Sequence, residues 1–352
     1  MHARRRPASS ARATRSFSPR HGPARCRSTQ GFDMTTTFPR LIVFGEALTD
    51  FIRDDAHRWH SVAGGSCWNV ARVGARLGVP TAFAGTVSRD LFGDELMRKS
   101  AEAGLDLRFI RQVDRAPLLA MVVSKQPPDY FFIGENSADL AFDPADLPAG
   151  ALDAAQIVHV GSLGVVREPL ASRLLDVVQA ARAAGKRISF DPNYRAPMAA
   201  PAYRDTLRRL AALADWIKVS DEDLRGLFPE LDETAALAQL RAWAPDAAVL
   251  VTRGASGMEL FHRETVLFQP AFATEIADTV GCGDASIGGW LASQLTRPEA
   301  TAAEHLRYAA ACAAVVCAHA GAYAPTAAEV DALVRTAAHT DTTAATDAAL
   351  SG

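Results

Sequence analysis

Short apolar runs alternate along the chain with longer amphipathic segments, and this alternation restricts the fold more than any other feature. The runs are too short for typical helices, and their apolar character predicts buried strands. They are Leu41–Phe44, Ile157–Val160, Ile188–Phe190, Trp216–Val219 and Ala248–Val251. Strands that alternate with helices predict a mostly parallel sheet covered on both faces, so we expect an α/β fold.

Helical periodicity follows several of these runs. Val70, Val73 and Leu77 recur at helical spacing and share one face. A second apolar face ends before Gly185, a residue type that commonly terminates helices. That face comprises Leu170, Leu174, Val177 and Ala181. We therefore expect both segments to form helices that pack on the sheet.

Two segments interrupt the alternation. Residues 51–63 have no helical pattern, and residues 107–134 contain the runs Leu118–Val123 and Tyr130–Ile133, separated by the turn-like Gln126–Asp129. Such runs predict a few antiparallel strands. We expect them to form a small lid that closes over a ligand at the sheet edge. The aromatic side chains available as apolar walls are Trp59, Phe131 and Phe132.

Polar or glycine-rich clusters follow four of the predicted strands. They are Gly45–Asp50, Asp191–Arg195, Ser220–Asp223 and Thr252–Gly254. One such cluster is usually only a turn. Ligands of parallel α/β sheets, however, bind outside the carboxyl ends of the strands. Four clusters in these positions therefore predict a shared active-site rim.

The segment Asp278–Ala285, with the sequence DTVGCGDA, is the sharpest single motif. Gly281 and Gly283 allow a tight turn and a close approach of backbone N–H groups to a ligand. A helix is predicted to begin here, and a helix N-terminus suits a phosphate group. Asp284 either caps this helix, which is worth about 0.3–1 kcal/mol, or accepts a proton from a substrate hydroxyl. The glycines favour the second interpretation.

Several common site motifs are missing. No GxxxxGK[ST] sequence occurs, and Ser286 stands where a dinucleotide fingerprint would need its third glycine. No GxSxG elbow is present. His57 and His60 lack a third ligand at metal-site spacing, so we predict no metal site built from side chains. A P-loop protein and an NAD-dependent oxidoreductase are therefore excluded.

Composition and charge limit the partners. The chain of 352 residues is 49% hydrophobic and has a net charge of −3, which gives no reason to expect nucleic acid or an anionic membrane. No run of 18 apolar residues occurs, so no membrane span is expected. The five cysteines form no CxxC pair, which favours a cytoplasmic protein over a disulfide framework.

The two ends differ from the middle of the chain. Residues 1–33 carry eight arginines and one aspartate, whereas residues 34–352 sum to −10. The basic segment could be an organelle transit peptide, or a disordered extension before a true start at Met34. We expect the disordered extension, because no apolar periodicity precedes Leu41. Residues 339–352 are rich in Ala, Thr and Asp, and we expect a disordered tail.

Five motifs follow one another along the chain in a known order. GGSCWNVARVGARLG (64–78) is similar to GGxxxNxAxxxARLG, and DTVGCGDAS (278–286) is similar to DTxGAGDAF. GTVSRDLFG (85–93) is similar to GxVGxDxFG, VTRGASG (251–257) to VTxGxxG, and Gly321–Thr326 to GAxxAxPT. With these motifs, the chain from about residue 40 to residue 335 resembles the PfkB/ribokinase family of carbohydrate kinases.

This resemblance implies a three-layer ribokinase-like sandwich with a β-stranded lid, spanning residues 34–338. It implies transfer of the γ-phosphoryl group of ATP, with Mg²⁺, to a sugar hydroxyl. By motif position, Asp284 matches the catalytic base, and the N–H groups of Gly281, Cys282 and Gly283 match an anion hole. The positions that match sugar contacts are Asp50, Gly64, Gly65 and Asn69. The positions that match contacts to the nucleotide, its phosphates and Mg²⁺ are Asp191, Asn193, Ser220, Asp223, Thr252 and Gly254.

Two further partners follow from the resemblance. K⁺ is a candidate cation near Val280, Val316 and Gly321, where backbone ligands would leave no sequence signal. Homodimers are common in the family, and an edge of the lid is a candidate surface for pairing with a second copy.

Within the family, GEALTDF (45–51) and DPNYR (191–195) resemble the fructokinase branch. The expected reaction is therefore the phosphorylation of D-fructose to fructose 6-phosphate. The chain departs from the usual family residues at Cys67, Trp68, Gly134, Asp223, Cys282 and Ser286. Trp68 either enlarges a side chain near the sugar pocket or packs in the core. Gly134 replaces an arginine that would suit the carboxylate of a sugar acid.

Alternative functions stay open at this point. The chain could phosphorylate another sugar or sugar acid, such as ribose or 2-keto-3-deoxygluconate. It could also be a catalytically silent protein that binds sugar or nucleotide, although the intact GxGD at residues 281–284 argues against this. ATP turnover with a panel of sugars would distinguish these alternatives.

Overall fold

A large mixed sheet and a small second sheet form the framework of the protein in the computed structural model, which describes residues 38–53, 58–125 and 128–337. The strands are β1 (Leu41–Phe44), β2 (Leu48–Arg53), β3 (Trp59–Gly64), β4 (Thr81–Ser88), β5 (Ile110–Val113), β6 (Leu119–Lys125), β7 (Pro128–Ile133), β8 (Ile157–Gly161), β9 (Arg187–Asp191), β10 (Trp216–Ser220), β11 (Ala248–Thr252), β12 (Met258–His262) and β13 (Thr265–Gln269). The α-helices are α1 (Ser66–Arg76), α2 (Leu91–Ala103), α3 (Ala151–Ala154), α4 (Leu170–Ala183), α5 (Tyr203–Leu213), α6 (Asp221–Leu227), α7 (Glu233–Trp243), α8 (Cys282–Thr296) and α9 (Ala302–Cys317), and residues 327–337 are also helical.

The large sheet has the strand order β13-β12-β11-β10-β9-β8-β1-β4-β5. Neighbours from β11 through β5 pair in parallel, while β12 and β13 add an antiparallel edge. The chain moves outward from β1 to β4 and β5 on one side, and from β8 to β11 on the other. The switch in direction therefore lies between β1 and β8, where open α/β sheets commonly bind ligands. The predicted α/β fold is confirmed, and all five predicted strands are present.

Helices cover both faces of this sheet, which explains why the central strands are mostly apolar. In β1, Leu41 and Val43 face a cluster that includes α1, α8 and α9. Ile42 and Phe44 face the opposite cluster, which includes α4, α5 and α7. All four side chains are fully buried. A strand buried on both faces loses the alternation of a half-exposed strand and becomes a continuous apolar run.

The second sheet has the strand order β3-β2-β6-β7, and we refer to it as the lid. It arises from the two segments that interrupt the strand–helix alternation, except that Ile110–Val113 pairs with β4 at the edge of the large sheet. The strands of the lid are antiparallel apart from the parallel pair β2 and β6. Residues 54–57, which include His57, and residues 126–127 lie outside the described residues.

The register of the lid decides which side chains face the large sheet. Asp50 pairs with Ala120, which pairs with Phe132, so these three share one face. That face is the inner one, because Phe132 packs on a cluster containing Leu163, which follows β8.

The prediction that Trp59 and Phe131 line the inner wall is wrong. Phe131 pairs with Met121, which pairs with Phe51, and Trp59 pairs with Arg53. These residues alternate with the inner set, so their side chains lie on the outer face of the lid. There, Trp59 is 40% exposed and Phe131 is 53% exposed.

The described residues all belong to one compact unit. The predicted extension at residues 1–33 and tail at residues 339–352 lie outside the described residues. Across the part of the chain that the structure describes, no helix is both long enough and apolar enough to span a lipid bilayer.

Candidate active site

The predicted rim residues meet where the carboxyl ends of the central strands face the N-terminus of α8. Asp191 ends β9, Ser220 ends β10 and Thr252 ends β11, and Ser220 and Thr252 are direct neighbours in the parallel ladder. The lid carries Asp50 over the same region, since Oδ2 of Asp50 lies beside Gly64, just before the start of α1, whose Ser66 binds Asp284. The strand order thus gathers clusters that lie far apart in the sequence.

The carboxylate of Asp284 turns away from its own helix and toward α1. Ser66 donates its hydroxyl hydrogen to Oδ1 at 2.6 Å, and the side-chain amide of Asn69 donates to Oδ2 at 2.9 Å. The N-cap of α8 is Gly281, and no side chain makes a capping hydrogen bond there. Asp284 is therefore not the cap of this helix. Its side chain is held in the cleft by two donors from another element.

Burial controls the charge of Asp284. Burial raises its pKa above the ordinary value, while the hydrogen bonds from Ser66 and Asn69 and the positive charges of Lys218 and Arg195 oppose that rise. A carboxylate with a raised pKa is a stronger base than an ordinary aspartate. The side chain is therefore suited to accept a proton from a hydroxyl group bound beside it.

Glycine is required at positions 281 and 283 for different structural reasons. Gly281 adopts a left-handed conformation with φ of +82°, and a Cβ there would lie 3.1 Å from Ala322. Gly283 is helical, but a Cβ at this position would lie 3.1 Å from the ammonium nitrogen of Lys218. The lack of a side chain at 283 lets that ammonium group approach the first turn of α8. Between them, the N–H of Cys282 makes a long 3.3 Å hydrogen bond to Thr279.

Lys218 is a site residue that the sequence analysis missed. It lies within β10, and its buried ammonium nitrogen is 3.2 Å from Oδ2 of Asp191 and 3.7 Å from Oδ2 of Asp223. Burial alone would lower its pKa, but the carboxylates of Asp191, Asp223 and Asp284 raise the pKa above its ordinary value. The lysine is therefore a fixed positive charge next to Asp284. The sequence does contain a signal for this residue, because Lys218 is a single charged residue inside a strand predicted to be buried.

Asp223 and Ser220 form a reciprocal capping box at the start of α6. The backbone N–H of Asp223 donates to the hydroxyl of Ser220 at 2.9 Å, and Ser220 N–H donates to Asp223 Oδ2 at 2.7 Å. The other oxygen of Asp223 accepts the N–H of Tyr194 at 2.7 Å. Asp223 thus holds the loop after β9 in place and also stabilises the positive charge of Lys218.

Two carboxylates beside Lys218, those of Asp191 and Asp223, are available to a divalent cation. Asp191 accepts the N–H of Asn193, a residue with φ of +42°, and also pairs with Lys218. Among the described residues, no group of three or more His, Cys, Asp or Glu side chains is arranged to hold a metal ion. Two carboxylates that already share a lysine fit Mg²⁺ only if phosphate oxygens and water supply most of its ligands, which is its usual coordination in phosphoryl-transfer sites.

The sugar-side residues also come together. The carboxylate of Asp50 lies directly over Gly64, where a Cβ would be only 2.3 Å from Oδ2. Gly65 has φ of +112°, and a Cβ there would lie 2.7 Å from the carbonyl oxygen of Glu46. Burial raises the pKa of Asp50 to about 6, although Arg195 opposes the shift. Oδ1 of Asn69 is buried and has no hydrogen-bond partner in the protein. It is thus an acceptor that a ligand hydroxyl can satisfy.

Arg195 joins the rim to the lid. Its guanidinium lies 5.7 Å from the ring centre of Tyr130, a residue on the inner face of the lid, and it donates to the carbonyl of Tyr194 at 2.7 Å. Its positive charge opposes the pKa rises of Asp50 and Asp284. Arg195 belongs to one of the rim clusters predicted from the sequence, but no separate role was predicted for it.

Glu46 is a buried acid beside the site that, like Lys218, was not predicted from the sequence. Its Oε2 accepts the N–H of Gly164 at 2.9 Å. Burial raises its pKa from 4.5 to about 7. Because Glu46 lies two residues before the first lid strand, it connects the base of the lid to the loop after β8.

The nucleotide-side positions Thr252 and Gly254 lie at the end of β11 and are partly or fully exposed. Gly254 adopts a φ of +51°, and no heavy atom lies within 4 Å of a Cβ built on it. The intervening Arg253 pairs with Glu233 and Glu259. This strand end is open to a ligand.

Two of the departures from the family pattern have a packing explanation. Trp68 is fully buried in the core, and its indole N–H donates to Ser100 at 2.9 Å, so it does not wall a ligand pocket. At Gly134, a Cβ would lie 2.5 Å from Leu118 and 2.8 Å from the hydroxyl of Ser137. The guanidinium of Arg167 donates to the carbonyl of Gly134 and pairs with Asp139. A side chain at 134 would therefore crowd Arg167 and disturb its ion pair with Asp139.

Comparisons with known proteins agree with this arrangement. Residues 39–329 match the model of the pfkB family of carbohydrate kinases. A fructokinase from Klebsiella pneumoniae is 35% identical over 259 residues, which is 72% of this chain and 83% of that protein. Fructokinase-2 from Solanum lycopersicum is 28% identical over 317 residues, which is 84% of this chain and 96% of that protein.

Solved structures of fructokinases are also similar to this chain. The fructokinase from Xylella fastidiosa with bound ATP has a TM-score of 0.76 and 28% identity, covering 85% of this chain and 98% of its own. The fructokinase from Vibrio cholerae O395 in its fructose, ADP and calcium ion bound form has a TM-score of 0.75 and 26% identity, covering 85% of this chain and 99% of its own.

Proposed function

Because the chain belongs to the pfkB family of carbohydrate kinases, we propose that it transfers the γ-phosphoryl group of ATP to D-fructose, giving fructose 6-phosphate. The chain is a sugar kinase, and the choice of fructose is supported by its similarity to fructokinases in both sequence and structure. The observation that carries the proposal is the Asp284 carboxylate, held by Ser66 and Asn69 beside the N-terminus of α8 and facing Lys218.

In the proposed mechanism, Asp284 accepts the proton of the C6 hydroxyl as that oxygen attacks the γ-phosphorus. The bond between the γ-phosphorus and the bridging oxygen breaks, and ADP leaves with the electron pair. The N–H groups of Gly281, Cys282 and Gly283 would hold the charge of the transferring group, as helix N-termini hold phosphates. The ammonium group of Lys218 lies close enough to Gly283 to stabilise the same charge. Positioning and charge stabilisation carry most of the catalysis in phosphoryl transfer.

The sugar is proposed to bind between the large sheet and the lid. The carboxylate of Asp50 and the free Oδ1 of Asn69 would accept hydrogen bonds from sugar hydroxyls. Gly64 lets the carboxylate of Asp50 approach closely, and Gly65 does the same for the backbone of Glu46, because a Cβ at either position would clash with these groups. The lid would exclude water, which otherwise competes with the sugar as acceptor.

The nucleotide is proposed to lie across the ends of β10 and β11. Thr252 and Gly254 would contact the nucleotide, while Asp191, Asn193, Ser220 and Asp223 lie on the phosphate side. Mg²⁺, bound mainly by phosphate oxygens and water, would supply neutralising charge to the phosphates. K⁺ is a further proposed cation, supported by a V. cholerae fructokinase structure in its fructose, ADP and potassium ion bound form.

Product identification tests this proposal. Purified protein is incubated with ATP, Mg²⁺ and fructose, and the product is assayed with enzymes that accept only fructose 6-phosphate. We expect stoichiometric ADP and fructose 6-phosphate. Formation of fructose 1-phosphate would refute the position of attack. Sugar binding without ADP release would support the catalytically silent alternative.

We also propose that two copies pair through the outer face of the lid. The supporting observation is the group of exposed apolar side chains on this face, including Trp59, Phe131 and Ile133. Light scattering during size-exclusion chromatography should give the mass of a dimer. Phe131→Ser should shift the mass toward a monomer, whereas Val266→Ser, a change at a similarly exposed position on the edge strand β13, should not. A monomeric wild type would overturn this proposal.

A further inference from the structure

Two cysteines lie at the end of the molecule that carries the proposed anion hole. Cys282 is the first residue of α8, and Cys317 is the last residue of α9. These helices pack against each other, since a Cβ on Gly289 of α8 would lie 2.6 Å from the sulfur of Cys312 on α9. The carbonyl of Cys317 also accepts the N–H of Ala277, just before the DTVGCGDA turn, at 2.8 Å. The C-terminus of α9 is therefore fastened to the segment that leads into α8.

The end of α9 lies against the turn that leads into α8, because the carbonyl of Cys317 accepts the N–H groups of both Ala277 and Asp278. The thiol groups of Cys282 and Cys317 are close enough to interact electrostatically. Both residues are partly exposed, whereas Cys67 and Cys312 are fully buried. Among the described cysteines, only Cys282 and Cys317 are partly exposed, and they lie at adjoining helix ends.

We propose that Cys282 and Cys317 form a reversible disulfide that inactivates the protein by fixing the first turn of α8 to the end of α9. The oxidant is hydrogen peroxide. Attack of one thiolate on peroxide gives a sulfenic acid and releases one water. Attack of the second thiolate on that sulfur forms the S–S bond and releases a second water. The two thiols thus lose two electrons and two protons, and peroxide is reduced to two waters.

The position of Cys282 explains why the cross-link should stop turnover. Its N–H group lies between those of Gly281 and Gly283, and all three belong to the proposed anion hole. Drawing its side chain toward α9 would displace this N–H from the transferring phosphoryl group. Loss of one such donor typically reduces kcat by about 10²–10³-fold. This effect on turnover rests on the proposed function, but formation of the cross-link does not.

The chemistry of the two thiols also determines when they are oxidised. Burial raises the pKa of the Cys282 thiol, and contact with Cys317 raises it further. The thiolate is the form of cysteine that reacts with peroxide. In a reducing compartment the thiols stay free, and the bond forms only when oxidant accumulates.

Peptide mapping of the full-length protein tests the cross-link itself. Wild type is treated with hydrogen peroxide, digested without reductant and analysed by mass spectrometry. We expect a peptide pair joined through Cys282 and Cys317 that is lost on treatment with dithiothreitol. Cys312→Ala should keep this linkage and Cys317→Ala should abolish it. A wild type that yields only a sulfenic or sulfinic acid at Cys282, or a linkage to Cys26, would overturn the proposal.

Activity measurements test the consequence. Peroxide should reduce the kcat of wild type by about a hundredfold, with recovery after dithiothreitol. Cys317→Ala should keep its initial activity and resist peroxide. A linked wild type with unchanged kcat, or equal inactivation of Cys317→Ala, would refute the control of turnover. If no sugar supports turnover at all, the peptide map still decides whether the disulfide forms, so the two proposals fail separately.

Discussion

The substitution Asp284→Asn separates the proposed general base from a residue that only maintains structure. Asparagine keeps the size of the side chain and one acceptor oxygen. Its oxygen can accept the hydrogen bond from Asn69, and its amide can donate to Ser66, whose hydroxyl can rotate to accept. The substitution therefore removes the negative charge and the basicity while the hydrogen-bonded arrangement of α1 and α8 is preserved.

The expected loss of stability is small. Each of the two hydrogen bonds changes from a charge-assisted to a neutral one, which costs about 1 kcal/mol apiece. Removal of a buried charge offsets this cost, because burial raises the pKa of Asp284 and so disfavours its ionised form. The free energy of unfolding should stay within about 2 kcal/mol of wild type, and Tm should change by a few degrees.

The expected loss of activity is large. General-base catalysis typically contributes about 10²–10⁴-fold, so kcat should fall by at least about a hundredfold, or about 2.7 kcal/mol. The KM for ATP should change little, since the substitution removes only a negative charge near the phosphates. The KM for the sugar should rise modestly through one weakened hydrogen bond.

Melting temperature and kcat are measured on the same preparation, in a coupled assay for ADP with saturating ATP and fructose. The matched control is Asp205→Asn, the same chemical change at an exposed position in the first turn of α5. The control should retain wild-type kcat. A kcat for Asp284→Asn within about fivefold of wild type would refute the role of Asp284 as base.

Three further predictions follow from the charges and the lid. Lys218→Met should lower kcat by about a hundredfold and reduce the free energy of unfolding by on the order of 3 kcal/mol in urea titrations, because two buried carboxylates lose their partner; stability equal to wild type would contradict this. Glu46→Gln tests a pH effect. Folding raises the pKa of this carboxyl from 4.5 to about 7, so the wild type loses stability as the pH rises through that window, whereas the variant does not. The unfolding free energy of the variant minus that of the wild type should therefore increase by on the order of 3 kcal/mol between about pH 4.5 and pH 8. A difference that stays constant with pH would count against this prediction. Hydrogen exchange in β2, β3, β6 and β7 should slow on addition of fructose if the lid closes, and unchanged exchange at saturating fructose would contradict closure.

The strands that the sequence predicted correctly are those whose burial on both faces leaves a continuous apolar run. The strand β4 is equally buried, yet its sequence TAFAGTVS contains small residues that give no such run. Small side chains suit a strand that must pack closely, as at Gly85, where a Cβ would lie 2.6 Å from the ring of Phe83. Hydrophobicity alone does not reveal strands of this kind.

The convergence of the rim clusters was predictable, because parallel strands end at the same edge of a sheet. The partners of individual side chains were not. Asp284 is bound by Ser66 and Asn69, which precede it by 218 and 215 residues. Lys218 gains its role from Asp191 and from Gly283 on other elements. Such contacts depend on how distant elements pack, which a single sequence does not encode in any local pattern.

The faces of the lid illustrate a third limit. The aromatic residues Phe131 and Phe132 are adjacent in sequence, and alternation places one on each face of a strand. Which of them faces inward depends on pairing through Met121 and Ala120. A shift of one residue in this register would exchange the two faces, so the sequence alone could not assign them.

The most direct test of the central claim is a coupled ADP-release assay with Mg²⁺–ATP across fructose, ribose, 2-keto-3-deoxygluconate, tagatose and nucleosides. The panel includes a sugar acid because the cleft contains the cation Arg195. We predict the highest kcat/KM for fructose, together with near-complete loss of that activity in Asp284→Asn. A kcat/KM for ribose or a nucleoside at least about tenfold above that for fructose would contradict the assignment of fructose, and a failure to release ADP with every one of these acceptors would contradict the catalytic role of the site.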